Sequence, residues 1–394
     1  MSGVLEGLRV LDFGRYIAGP FCATMLADLG AEVIRIEKLD GSEDRYTSSI
    51  AQGGEGGTFM QVARNKLGFT LNPMKREARE VLRRLISSAD VVVANLPLPT
   101  LKDMGIDYES LKAIKPDIIL THVSAFGNTG PYSERVGFDL LGQAMSGGMY
   151  LCGDGRAPTR TQVPYVDFGT AMMAAFGTLA ALMARGRTGK GQVVEASLFT
   201  TSLAFANNLL MEQAVLESNR KPQGNRAYHH APNDAFRTLD GWIVTMVVGN
   251  PLFERWAKLM GEPEWLTDPR FASDTLRGKH GEAISERMSR WCAGRTTGQA
   301  LAELEEARVP AGPVLTPAQV LADPHVAARQ IFKKIEYPGL PRPAPVADTP
   351  VKLSGTPGGI RQRAPTLGEH TDAILQQLGF STDEISALRR ARAV

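Results

Sequence analysis

Cysteine is nearly missing from this sequence, and the three that occur, Cys22, Cys152 and Cys292, stand far apart. Unclustered thiols build neither a disulfide framework nor a zinc pattern, so reduced thiols in a cytoplasmic protein are expected. Histidine is scarce as well. Of six, only His229 and His230 are adjacent, and neighbours in sequence point apart on a helix or strand, so no metal site is expected. Charge of one sign is also lacking: 44 basic residues face 42 acidic ones, a formal net charge of +2. No global field is present to hold nucleic acid or an anionic membrane, and an anionic ligand must be held by local groups. No apolar run reaches membrane-spanning length; the nearest, Ala171 to Ala184, stops at Arg185 and reads as a buried helix. Met1 to Gly7 has neither the basic nor the apolar region of a signal peptide. The expectation is a soluble cytoplasmic protein with no nucleic-acid or membrane partner.

What is present is an alternation of strand and helix patterns. Leu8 to Asp12 reads as a strand, Phe21 to Leu29 as a helix with Gly30 as its cap, and Val33 to Ile36 as a strand ending at Glu37. Glu77 to Ser88 and Tyr108 to Ile114 read as helices; Asp90 to Ala94 and Ile118 to Val123 read as strands. Asp167 to Arg185 is one long helix pattern, followed by a strand at Gln192 to Ala196 and a helix at Ser197 to Leu216. This pattern predicts an α/β fold with an open parallel sheet covered on both faces. At 394 residues the chain exceeds most single cores. Ser218 to Pro232 is polar and rich in turn formers, so it is expected as a linker. The predicted division is a large domain over 1–217, a linker at 218–232, a smaller α+β domain over 233–330 and a segment over 331–394. Phe236 to Val248 predicts a hairpin turning at Asp240-Gly241 in the smaller domain, and Pro338 to Pro357 reads as extended.

Three features carry candidate chemistry. Asp167 follows the extended Gln162 to Val166 and opens a Gly/Ala-rich helix. It reads either as a plain N-cap, kept ionised by the helix dipole, or as a carboxylate nucleophile for an activated carbonyl. In the second reading Gly169, Thr170 and Ala171 leave room for an acyl group. The loop Phe13 to Pro20 lies at the carboxyl end of the first strand, where open α/β sheets bind ligands. Glu37 sits where a dinucleotide fold places its ribose acid, but Gly14-Arg-Tyr-Ile-Ala-Gly19 lacks the spacing of G-x-G-x-x-G. Gly189-Lys-Gly191 likewise lacks P-loop spacing, so neither NAD nor ATP chemistry is indicated. Arg35, Lys38, Arg64, Lys66 and Lys102 fall at strand ends or in loops; they are either a solvated face or a phosphate-holding set.

In order along the chain stand Val10 to Phe13, Ala18-Gly-Pro20, Leu26 to Lys38, Asn65-Lys66, Asp90 to Asn95, Ser124 to Gly127, Gly130-Pro131, Gly137-Phe-Asp139, Pro164 to Gly169, Thr188 to Gln192, Asp240-Gly241, Val309 to Pro313 and Pro365 to Thr371. Each fragment is weak alone. As an ordered set they resemble the class III CoA-transferase (CaiB/BaiF) family over nearly the whole chain. The resemblance implies a Rossmann-like large domain to which the C-terminal segment returns, a smaller domain, and an interlocked, ring-like homodimer. It implies that Asp167 is the catalytic aspartate, that coenzyme A enters as a substrate, and that no permanently bound cofactor or metal is needed. It places the CoA contacts at Ala18, Lys38, Asn95, Leu96, Lys102 and Met104. Asp103 stands where some members carry arginine.

The family also holds 2-methylacyl-CoA racemases, whose paired bases include a His in a Gly-His-Asp segment. Here that segment is Gly137-Phe138-Asp139, and phenylalanine moves no proton. Transfer is therefore the expected chemistry, with racemisation or isomerisation as the alternative. The oxalate-using branch has glutamine before Ala-Gly-Pro and a glycine-only loop over the aspartate; this chain has Ile17 and Gln223-Gly-Asn-Arg226. Around the reacting centre the expected substrate contacts are Arg15, Tyr16, Ile17, Phe138, Asp139, Gln223, Gly224 and His229. Backbone amides near Gly224 would meet the oxyanion. Arg15, Tyr16 and His229 would favour a second acidic group, hence a donor such as succinyl-CoA and a small diacid or analogue as acceptor. For Arg15, pairing with a structural carboxylate is the equal alternative.

Overall fold

The computed structural model describes residues 3–394. Six strands form the principal sheet: β1 (Arg9–Asp12), β2 (Glu32–Glu37), β3 (Lys66–Thr70), β4 (Val91–Ala94), β5 (Ile119–Ser124) and β6 (Val193–Ser197). Their order is β3-β2-β1-β4-β5-β6, and every neighbouring pair is parallel. The chain winds outward from β1 to β3, then returns and winds the other way from β4. The carboxyl ends of β1 and β4 therefore flank the switch point where such sheets open a ligand crevice.

Helices cover both faces, as the strand–helix alternation predicts. On one face Arg79–Ser88, Tyr108–Ile114, Thr371–Gln377 and Thr382–Arg390 enclose a core containing Leu85, Leu111, Leu375 and Leu388. On the other, Ala18–Asp28 packs on Tyr165–Thr188 through small side chains, with Cys22, Ala23, Ala171 and Ala174 in one buried cluster. The Tyr165–Thr188 helix is long and apolar enough, by length and composition, to cross a membrane. The shorter apolar run expected from Ala171 to Ala184 understated it. Its inner side is core: Val166, Thr170, Ala171, Ala174 and Thr178 are buried, and Thr178 shares a hydroxyl hydrogen bond with Thr121 of β5 at 2.6 Å.

β3 has no counterpart among the strands predicted from sequence, because Lys66 and Gly68 break its apolar pattern. It is fixed by Thr371, whose hydroxyl accepts from the Thr70 amide at 3.0 Å, and by His370, whose Nδ1 accepts from the Gly68 amide at 3.1 Å. A further correction concerns Arg35, Arg64 and Lys66, which are buried rather than lining a phosphate site. Lys66 donates to Asp12 at 2.8 Å and Arg35 pairs with Asp44 at 2.6 Å. Arg45 pairs with Glu37 at 2.5 Å, and Arg64 with Asp28 at 2.7 Å. Charges this deeply buried persist only when paired, so these residues are committed to the fold.

The chain divides into two compact units. One takes the stretch through Ser146, Thr161–Met211 and Ala328–Val394; the other takes Gly147–Arg160 and Glu212–Ala327. The predicted linker at 218–232 thus lies inside the smaller unit, and Gly147–Arg160 belongs there too. The reason is local pairing: the Gly224 amide donates to the Gly153 carbonyl at 2.7 Å, a contact without sequence periodicity. The smaller unit carries an antiparallel sheet of β7 (Asn233–Arg237), β8 (Trp242–Met246) and β9 (Ala311–Pro313) over Phe253, Trp256, Phe271 and Trp291. In the larger unit, β10 (Phe332–Ile335) pairs antiparallel with β11 (Ala344–Ala347), so part of the stretch read as merely extended is a ladder.

Candidate active site

The carboxyl ends of β1, β2, β4 and β5 surround a cavity of about 1320 Å³ in the larger unit. Its size suits a large, extended ligand. The β1 loop forms one wall. The Gly14 amide bonds to the Asp12 carboxylate at 2.8 Å, and a side chain at Gly14 would collide with Pro20 at 2.6 Å. Asn95, just past β4, locks the loop by taking the Arg15 amide at 2.7 Å and giving its own amide to the Arg15 carbonyl at 2.8 Å. Tyr16 is held at a φ of +62°, a conformation rare outside glycine and typical of functional loops. Its ring meets Phe138 edge to face at 5.2 Å.

Asp167 lies in the first turn of the Tyr165–Thr188 helix and borders the cavity. It is not the N-cap. Asp139 accepts hydrogen bonds from the Val166 amide at 2.8 Å and the Asp167 amide at 3.1 Å. Asp167 is 9% exposed. Burial, and then the charge of Asp139, push its carboxyl up to about 7, so the expectation that the helix end simply keeps it ionised is corrected. The room expected at Gly169, Thr170 and Ala171 is absent: a Cβ on Gly169 would lie 2.6 Å from the Phe205 ring, and the other two are core.

Among the expected contacts, Arg15, Tyr16, Ile17, Ala18, Lys38, Asn95, Leu96, Met104 and Phe138 border the same cavity as Asp167. Asp139 and Lys102 are not among its lining residues. Lys102 is exposed on the outer side of its helix, and both oxygens of Asp139 are occupied, one by the two backbone amides and the other by Gln143 at 2.5 Å. Gln223, Gly224 and His229 belong to the smaller unit. There the Gly224 amide is spent on Gly153, Gln223 donates to the Arg226 carbonyl at 3.0 Å, and His229 faces Glu212 at 3.1 Å. Arg15 has no carboxylate partner within ion-pair distance among the described residues. One guanidinium nitrogen binds the carbonyls of Phe13, Gly14 and Ile36, leaving Nε and Nη2 without a partner among the described residues.

Three cations were missed: Lys75, Arg135 and Arg392 also line the cavity. Lys75 follows β3, a strand the sequence pattern concealed. Arg135 lies in the loop after β5, stacked 4.0 Å from the Tyr132 ring. Position after a strand's carboxyl end is the signal that finds both. Arg392 carries no such signal. It comes to the cavity because Asn72 bonds to the Ala393 carbonyl at 2.8 Å, with Arg392 itself at a φ of +54°.

A parallel sheet of this order, with a large cavity at its switch point lined by a buried carboxylate and by five basic side chains, has the form of a site for a large ligand that carries negative charge. Residues 5–371 match the model of CoA-transferase family III, and the chain belongs to that family. It is similar to the succinyl-CoA–D-citramalate CoA-transferase of Chloroflexus aurantiacus, 35% identical over 99% of this chain and 98% of the relative. It is also similar to the succinyl-CoA:mesaconate CoA-transferase of Haloarcula hispanica, 32% identical over 96% and 98% of the two chains. Among solved structures, a CaiB/BaiF family protein from Brucella suis superposes with a TM-score of 0.84 at 34% identity, covering 96% of this chain and 100% of that one. The chain is an enzyme of CoA transfer, and CoA is its substrate.

Proposed function

We propose that the enzyme moves CoA from succinyl-CoA to a small dicarboxylic acid by way of a thioester on Asp167. The observation that carries this reading is the Asp167 carboxylate bordering a cavity that is also lined by Arg15, Lys75, Arg135 and Arg392, and by Lys38 paired with Glu43. Two similar enzymes are named for succinyl-CoA with D-citramalate or mesaconate, both diacids, and Arg15 offers a second carboxylate its two uncommitted nitrogens.

The chemistry balances without ATP or metal. The Asp167 carboxylate attacks the thioester carbonyl, giving a mixed anhydride and CoA thiolate. The thiolate attacks the aspartyl carbonyl, giving aspartyl-CoA thioester and free succinate. The acceptor carboxylate attacks that thioester, forming a second anhydride and releasing thiolate. Thiolate then takes the new acyl group and returns Asp167 to its carboxylate. Each step exchanges activated carboxyl groups of similar energy, so positioning supplies the rate. Asp167 must be charged to begin, and its burial makes that charge reactive by denying it water.

The working unit is a homodimer in this proposal. Large apolar side chains stand out along two helices of the chain: Phe176 and Met183 are 72% and 73% exposed, and Val215 is 77% exposed. Apolar area of this kind marks a partner surface, and a second copy is the occupant the family resemblance implies. Incubating the enzyme with succinyl-CoA and a panel of mono- and dicarboxylic acids, and reading the new thioesters by mass spectrometry, tests the function. Transfer to diacids supports it; transfer to monocarboxylates alone overturns the substrate class.

A further inference from the structure

We infer that Asp139 is the positioning residue of the reaction, holding the Asp167 nucleophile by its backbone rather than touching substrate. The inference rests on Asp167 being the nucleophile. Asp139 opens the Asp139–Met145 helix directly after Phe138. The chain there sends Phe138 toward the cavity and Asp139 inward, where it is 9% exposed. One of its oxygens accepts from the amides of Val166 and Asp167 at 2.8 and 3.1 Å; the other accepts from Gln143 Nε2 at 2.5 Å. Gln143 is fixed in turn, because its carbonyl oxygen accepts from the Thr161 amide at 3.0 Å. The 139–145 helix thus clasps both the Tyr165–Thr188 helix start and the segment leading into it.

This arrangement has two consequences for Asp167. A free helix N-terminus offers amides that stabilise a nearby carboxylate. Here Asp139 has taken the amides of Val166 and Asp167, and those of Tyr165 and Phe168 bond to the Val163 and Pro164 carbonyls, so Asp167 is left without the bonds that would quiet it. Asp139 also sets a second negative charge beside it, within the same buried region. The other charged or titratable groups on the elements packed round that helix are committed elsewhere, apart from the buried Cys22 thiol of the Ala18–Asp28 helix, which faces Thr178, eleven residues beyond Asp167. Asp28 of the Ala18–Asp28 helix binds Arg64, His122 of β5 binds the Leu96 carbonyl, and Glu195 of β6 binds the Asn128 amide. Asp139 alone among them acts on the Asp167 carboxyl, raising its proton affinity in addition to burial.

Asp139→Asn, Asp139→Ala and Asp167→Asn, measured together, test the inference. Asparagine keeps an oxygen for the two amides but removes the charge and the acceptor for Gln143 Nε2; alanine removes all three. Asp139→Ala is expected to lower kcat roughly 10- to 100-fold with KM for the acyl-CoA little changed, the mark of a misplaced nucleophile. Asp139→Asn is expected to recover most of that kcat and to move the acid limb of the kcat–pH profile to lower pH, because the repelling charge is gone. Should the alanine variant fail to fold, the limb of the asparagine variant decides. An unmoved limb, or a raised KM with intact kcat, overturns the positioning role. Turnover by Asp167→Asn would instead sink the nucleophile reading itself, a distinct outcome in the same assay.

Discussion

Asn95 grips Arg15 by both backbone groups, accepting from its amide at 2.7 Å and donating to its carbonyl at 2.8 Å. That single side chain ties the loop after β1 to the end of β4 across the switch point, and it keeps Tyr16 in its left-handed conformation. Asn95→Ala is expected to loosen the loop, raising KM for acyl-CoA and costing about 1–3 kcal/mol of stability from unsatisfied backbone groups. Asn95→Asp, which keeps only the acceptor, is expected to fall between. Steady-state kinetics and urea melts check both.

The cations that line the cavity differ from the exposed Lys102, which the sequence pointed to and the cavity does not include. Arg392→Ala and Lys75→Ala are expected to raise KM for CoA thioesters about tenfold each, equivalent to ~1.4 kcal/mol. Lys102→Ala, on the exposed side of its helix, is expected to leave KM unchanged. Titration of CoA and 3′-dephospho-CoA into each variant by calorimetry reads the effect and tells which phosphate each cation serves.

Burial of Lys66 makes it a structural charge. Burial depresses its amine to about 8, against the pull of Asp12. Lys66→Met leaves Asp12 and its neighbours unbalanced inside the sheet and is expected to cost roughly 3–5 kcal/mol. A guanidinium melt at pH 7 measures it; an unchanged midpoint would contradict the assignment of Lys66 to the fold.

Much of this architecture was legible because strands and helices announce themselves by periodicity. Val91 to Ala94 is an unbroken buried run and Tyr108 to Ile114 is amphipathic, and both elements lie where the pattern puts them. β3 was not legible, since its Lys66 and Gly68 are explained only by Asp12 beneath one and Pro365 against the other. The same is true of the site. Asp167 stood out as an acid at a helix start, but that another acid takes the capping role is a contact 28 residues apart in sequence. Gly169 suggested space for substrate, whereas the Phe205 ring fills it. Arg392 was hidden because its place depends on a backbone bond to Asn72. Local pattern reveals elements; it does not reveal which distant side chain occupies the room beside them.

Asp167 also trades stability for reactivity. Its folded pKa of about 7 lies above the ordinary 3.8, so the folded state binds the proton more tightly than the unfolded chain. The sign follows: this group's contribution is fully present below about pH 4 and is lost as pH rises through 7, at most on the order of 4 kcal/mol. Asp167→Asn is therefore expected to raise Tm at pH 8 and to change it little at pH 4. Differential scanning calorimetry at the two pH values checks the sign.

The most direct measurement is peptide mass spectrometry of enzyme incubated with succinyl-CoA and quenched in hydroxylamine. Aspartyl-CoA thioester would convert to a hydroxamate on the peptide carrying Asp167, with release of free CoA, and Asp167→Asn would show neither hydroxamate nor transfer. An unmodified Asp167 in wild-type enzyme that continues to exchange thioesters, or an active Asp167→Asn, would contradict the account.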